Sequence, residues 1–99
     1  MFEFHSTRGG DNRSSFKDVV LAGLASDGGL YVPRVWPQLS AIPAEASYTD
    51  VAAAVIGAFT AGSIPPETLA RIIRESYAPS VFMAADVVPL RPIGDQLYL

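Results

Sequence analysis

Few residues in this 99-residue chain carry groups able to do chemistry, and most of them lie near its start. The run Arg8-Gly9-Gly10-Asp11-Asn12-Arg13-Ser14-Ser15 places two arginines, two glycines and two serines ahead of a predicted helix. Such a loop can hold an anion, because glycine lets the backbone approach, a helix start offers free N–H groups and arginine brings charge. A full phosphate-loop pattern of the Gly-x-x-x-x-Gly-Lys-Ser type does not accompany it, and a solvated turn with a helix cap is the favoured reading. His5 is the sole histidine and has no nucleophile or orienting acid near it in sequence, so it reads as a surface or hydrogen-bonded side chain rather than a base. Lys17, the sole lysine, falls in the first turn of a predicted helix on an exposed face. Without cysteine, disulfides and thiolate metal sites are excluded, and with one histidine a zinc ion would depend almost wholly on carboxylates, so no metal ligands are assigned.

The elements that would position these groups follow from periodicity and turn chemistry. Phe2, Phe4 and Ser6 alternate with Glu3, His5 and Thr7, which predicts a first strand over Phe2–Thr7 with His5 on its polar side. Ser15 is placed to cap a helix, with Asp18 in the reciprocal position. Phe16, Val19, Val20, Gly23 and Leu24 share its apolar face, and Gly23 leaves room there for another backbone. Asp27-Gly28-Gly29 supplies a turn, and Leu30-Tyr31-Val32 a short strand that Pro33 ends. Three prolines in the eleven residues from Pro33 to Pro43 predict an extended connector anchored by Trp36, Leu39 and Ile42, with Trp36 covering a small core. Ser47 and Asp50 repeat the capping pattern ahead of a helix buried on more than one side, with Val51, Val55, Ile56 and Phe59 on one face and Gly62 as its stop.

Pro65 and Pro66 open a third helix with the stripe Leu69, Ile72, Ile73 and Tyr77 and ion pairs Glu67–Arg71 and Arg71–Glu75. Val87–Leu90 and Gln96–Leu99 read as a hairpin about Ile93-Gly94-Asp95, with Val81-Phe82-Met83 unassigned. The fold class is therefore α+β: one domain over residues 1–99, with three helices on a small mixed or antiparallel sheet built from Phe2–Thr7, Leu30–Val32, Val87–Leu90 and Gln96–Leu99.

A net charge of −3 and no cluster of Lys and Arg argue against nucleic-acid binding. There is no basic, apolar leader at the start and no 18-residue apolar run, which predicts a cytoplasmic protein that does not enter a membrane. The chain stops inside the apolar run Gln96-Leu97-Tyr98-Leu99, which reads as a fragment of a longer polypeptide.

One stretch is distinctive in wording. Phe16-x-x-x-Val20-Leu21-x-Gly23-Leu24-Ala25-x-Asp27-Gly28-Gly29-Leu30-Tyr31-Val32-Pro33, with Ser6-Thr7-Arg8-Gly9 upstream, resembles the N-terminal signature of the threonine synthase family. The rest of the chain is similar to that region more loosely, with Ser76 departing from a frequent alanine. The resemblance implies an accessory domain of a fold-type II pyridoxal-phosphate enzyme, a lyase that turns O-phospho-L-homoserine and water into L-threonine and phosphate. It also implies that the Schiff-base lysine lies beyond Leu99, so no residue here is catalytic, none binds the cofactor and the fragment alone is inactive. The partners implied are the catalytic domains of the same chain and, for the whole enzyme, O-phosphohomoserine. Ser6, Thr7 and Arg8 are the residues this resemblance places beside the active-site cleft, though they also read as a tie between strand and loop. Three readings compete with this one: a protein-interaction or regulatory module recruiting a partner through Trp36 and an open sheet edge, a small anion-binding protein using the Arg8–Ser15 loop, and the N-terminal domain of a related phospholyase.

Overall fold

The computed structural model describes residues 2–13 and 15–99. The chain runs β1 (Phe4–Ser6), β2 (Asn12–Arg13), α1 (Phe16–Ala22), β3 (Tyr31–Pro33), α2 (Tyr48–Thr60), α3 (Pro66–Ser76), α4 (Pro79–Phe82), β4 (Pro92–Gly94) and β5 (Leu97–Tyr98). The α+β class holds, and the pairing is antiparallel throughout the described residues. The expected single sheet is instead two: a three-stranded sheet in the order β2-β1-β3, and a separate hairpin of β4 and β5.

The central strand β1 alternates as its sequence requires. Phe4 and Ser6 are buried on one face, while His5 lies on the other, partly exposed, with an unpartnered Nδ1. Phe4 packs between Phe2 and Phe16, with ring centroids at 5.7 and 6.2 Å, and Phe2 reaches Phe59 of α2 at 5.9 Å. The core therefore sits where β1, α1 and α2 meet, and continues between α2 and α3 through Leu69 and Ile73. Gly57 faces this contact, with Leu69 Cδ2 at the ordinary van der Waals distance of 3.6 Å from where a Cβ would stand.

Both serine caps form. Ser15 Oγ accepts from the Asp18 N–H at 3.2 Å, and Ser47 Oγ accepts from the Asp50 N–H at 3.2 Å. The reciprocal bond to the cap's own N–H is made in α2, where Asp50 accepts from Ser47 N at 3.0 Å. In α1 the Asp18 carboxylate takes the Ser15 hydroxyl instead, at 2.7 Å.

Several expectations change. Gly23 is not a point of close approach: it adopts φ 72°, nothing lies within 4 Å of its missing Cβ, and its N–H closes α1 onto Val19. The helix consequently ends at Ala22, and Val20, Leu21 and Leu24 stay exposed. Helix α2 is half-buried rather than enclosed, with Thr60 alone of its residues fully buried. Arg71 pairs with Glu75 at 3.4 Å, whereas Glu67 forms no ion pair with it. Trp36 meets Phe59 edge-on at 6.0 Å but remains 71% exposed, an incomplete cover. Val87–Leu90 is not a strand; Pro89 supplies no N–H, and pairing starts only at Pro92. Asn12–Arg13, expected as loop, pairs with His5 and Phe4.

Residues 79–99 are exposed apart from half-buried Val87. The radius of gyration is 16.5 Å, against about 13 Å for a compact chain of this length. The C-terminal hairpin thus forms an arm outside the packed part. No helix in the described residues is long and apolar enough to cross a membrane.

Candidate functional site

The polar residues that stood out in the sequence converge at one place, where the end of β1 meets the turn before β3. The Asp27 carboxylate is the hub. Its Oδ1 accepts from Ser6 Oγ at 2.6 Å and from the Gly29 N–H at 2.9 Å, and its Oδ2 accepts from the Gly10 N–H at 2.8 Å. The Arg8 guanidinium donates through Nη1 to the Asp27 carbonyl at 3.0 Å, while the Arg8 N–H reaches Ser6 Oγ at 3.1 Å. Thr7 Oγ1 accepts from the Leu30 N–H at 3.0 Å. Donors from two segments twenty residues apart in sequence therefore share one acceptor group. Hydrogen bonds to a charged acceptor are stronger than neutral ones. They hold the Asp27 carboxyl below its ordinary range, with the Ser6 hydroxyl the largest cause and the Gly29 N–H next.

Glycine is required around this hub by space at Gly10 and Gly29 and by backbone angle at Gly28. Gly28 takes φ 81°, and a Cβ on it would lie 2.9 Å from Arg8 Nη1. Gly29 is buried with ordinary backbone angles, and a Cβ there would fall onto Ser6 Oγ. A Cβ on Gly10 would stand 2.9 Å from Asp27 Oδ2.

A second cluster adjoins the first. Asp11 Oδ2 accepts from the Tyr31 hydroxyl at 2.6 Å and from the Ser26 N–H at 3.0 Å, and Asp11 Oδ1 lies 3.5 Å from Arg13 Nε. Arg13 Nε also donates to the Tyr31 hydroxyl at 3.0 Å. The Ser26 N–H, then Tyr31, lower the Asp11 pKa from 3.8 to about 2. Tyr31 is pushed up by the carboxylate it serves, and Arg13 is raised by Tyr31 and Asp11.

Ser6, Thr7 and Arg8, the residues singled out in sequence, are thus brought together. Ser6 is 1% exposed with its hydroxyl committed to Asp27, and Thr7 Oγ1 is committed to the backbone. Arg8 is exposed and has no ion-pair partner among the described residues; of its five N–H donors, Nη1 holds the contact to the Asp27 carbonyl. Other groups of the Arg8–Ser15 loop bond within the chain: Gly10 N–H serves Asp27, Arg13 Nε serves Asp11 and Tyr31, and Ser15 serves Asp18, with Ser14 outside the described residues. The Asp27 and Asp11 carboxylates thus accept donors of this loop that an anion would otherwise meet, while Arg8 keeps free ones. Asp27 and Asp11 were not singled out by sequence reasoning. An acid directly ahead of two glycines signals the local bond from Gly29, but not the partners at Ser6 and Gly10.

A pyridoxal-phosphate site does not fit the described residues. A Schiff-base lysine requires a desolvated setting, whereas Lys17 is exposed beside an open cleft of about 240 Å³ lined by Phe16, Val20, Leu21 and Ile64.

A family model described as the threonine synthase N terminus matches residues 3–77. Threonine synthase of Pseudomonas aeruginosa is 42% identical over 93 residues, covering 90% of this chain and 19% of its own length. The Corynebacterium glutamicum threonine synthase is 37% identical over 92 residues, covering 85% of this chain and 19% of its own. Among solved structures, pyridoxal-phosphate-bound threonine synthase from Brucella melitensis is similar with a TM-score of 0.78 at 40% identity, over 93% of this chain and 20% of that one. The chain spans about a fifth of the length of the relatives it matches.

Proposed function

We propose, from the premise that this chain belongs to the threonine synthase N-terminal family, that residues 1–99 form one accessory domain of a longer enzyme. That enzyme converts O-phospho-L-homoserine and water to L-threonine and phosphate as a pyridoxal-phosphate-dependent carbon–oxygen lyase of amino-acid biosynthesis. It works in the cytoplasm. The cofactor is held by the remainder of the polypeptide, where it supplies the electron sink that elimination of phosphate needs. These 99 residues contribute no reacting group and have no activity alone. The observation that carries this reading is the match of residues 3–77 to the family together with the similarity of 93% of the chain to one fifth of a pyridoxal-phosphate-bound threonine synthase.

Within the domain, Ser6 and Thr7 act as positioning residues, and Arg8 borders the active-site cleft of the full enzyme. The geometry supports a division of labour. Two hydroxyls and the Asp27 carboxylate fix the strand end, and the Arg8 guanidinium, held through Nη1 by the Asp27 backbone carbonyl, is exposed, with donors to spare for an anionic substrate.

The test is made on the full-length polypeptide. Phosphate release from O-phosphohomoserine is followed as substrate is titrated, in the parent and in Arg8→Ala. A raised KM with the fold retained supports the placement of Arg8. Unchanged KM and kcat would end it, and a full-length protein that releases no phosphate would end the enzyme assignment itself.

A further inference from the structure

Helix α1 has an apolar side that nothing in the described residues covers. Leu21 is 86% exposed and Leu24 64%, Val20 is exposed as well, and the helix contains no buried residue. Beside them opens the apolar cleft between Phe16, Val20, Leu21 and Ile64. A short helix that leaves Val20 and Leu21 in water, with Leu24 exposed just past its cap, loses the burial that ordinarily stabilises such an element.

We infer that the apolar surface made by Val20 and Leu21 of α1 and by Leu24 just past its cap, with the cleft at Ile64, is the surface on which the remaining four-fifths of the same polypeptide docks. The inference rests on the reading of this chain as a domain of a longer enzyme and adds the surface by which it is held. Two observations select that occupant. The relatives are about five times as long as the matched region, and the similar fold in the Brucella melitensis enzyme makes up 20% of a single chain, so covering mass is available in the same molecule. A covalently joined neighbour also acts at a high effective concentration that neither a second copy nor a separate protein matches. The chemistry of the face agrees, since permanent interfaces are apolar and resemble a core cut in half. The complementary surface is therefore aliphatic or aromatic, with a side chain that fills the cleft.

Full-length protein carrying Leu21→Cys or Leu24→Cys is reacted with a maleimide, and Glu75→Cys on α3 serves as the exposed control. Thiols elsewhere are subtracted using the unsubstituted protein; residues 1–99 contain none. Both introduced thiols should react more slowly than the control by on the order of tenfold or more, independently of protein concentration, and match it in denaturant. Reaction at the control rate in a full-length protein that still releases phosphate from O-phosphohomoserine overturns the inference and leaves the enzyme assignment standing. Protection that disappears on dilution assigns the face to a second copy and also overturns it. Protection that persists in a protein releasing no phosphate upholds the docking surface while removing the activity.

Discussion

Gly29→Ala should be far more costly than its place in a surface turn implies. Gly29 needs no positive φ, so an alanine meets no backbone penalty there; the obstacle is space alone. The new Cβ would occupy the position of Ser6 Oγ and would stand 3.0 Å from Thr7 Oγ1 and 3.1 Å from Asp27 Oδ1. Ser6 is buried and bonded to Asp27, so its hydroxyl cannot swing away without giving up that bond. Overpacking of this kind costs about 2–3 kcal/mol. A chain of this size has a total stability of roughly 5–15 kcal/mol, so the loss is a large share. Urea unfolding of residues 1–99, followed by far-ultraviolet circular dichroism, should show the midpoint falling by roughly 1–2 M. The decisive arm is the double-mutant cycle with Ser6→Ala, which removes the atom in the way. In that background the remaining contacts yield by a few tenths of an ångström, and Gly29→Ala should cost about 1 kcal/mol or less, a coupling of about 1–2 kcal/mol. If the two substitutions add independently, or if Gly29→Ala alone leaves the midpoint unmoved, the close approach of Gly29 to Ser6 is refuted.

Two further outcomes follow from other parts of the fold. The Asp11 carboxyl should titrate at about 2 rather than 3.8 in an NMR experiment, and Tyr31→Phe should move it back up by removing a donor to the charged form. Because the folded value is depressed, the stabilisation is full above pH 3.8 and fades as the pH falls toward 2; Asp11→Asn should flatten that limb, and a parent carboxyl titrating at its ordinary value would contradict the cluster. On α3, Ile73 is 3% exposed and Ile72 41%, so Ile73→Ala should cost about 2–5 kcal/mol and Ile72→Ala less than half as much; equal losses on urea unfolding would mean that α3 packs through a different face.

What the sequence made legible is local. The Ser-x-x-Asp pairs that start α1 and α2 act within one helical turn, and both form. The alternation of Phe4, His5 and Ser6 reads correctly because burial on one face of a strand leaves a period of two. Strand β2 was not legible, since Asn12 and Arg13 carry no apolar pattern and become a strand only by pairing with His5 and Phe4. The apolar face assigned to α1 was half legible. Phe16 and Val19 are partly buried, whereas Val20 and Leu24 have the same composition but no covering partner here. At the candidate site, Ser6, Thr7 and Arg8 stood out by resemblance, yet the reason they belong together is Asp27. Its bond to Ser6 spans 21 positions, and no local pattern marks it.

The C-terminal arm bears on how these 99 residues behave as a solution. Every residue of β4 and β5 is exposed, and a two-stranded ribbon leaves both outer edges with unpaired N–H and C=O groups. Ile93, Leu97 and Tyr98 add apolar surface to those edges. The hairpin therefore adds an open, apolar edge to the apolar surface that Val20, Leu21 and Leu24 already expose. Such an edge is a template for pairing with a second molecule, and a charged residue on the hairpin should oppose that pairing without touching the core.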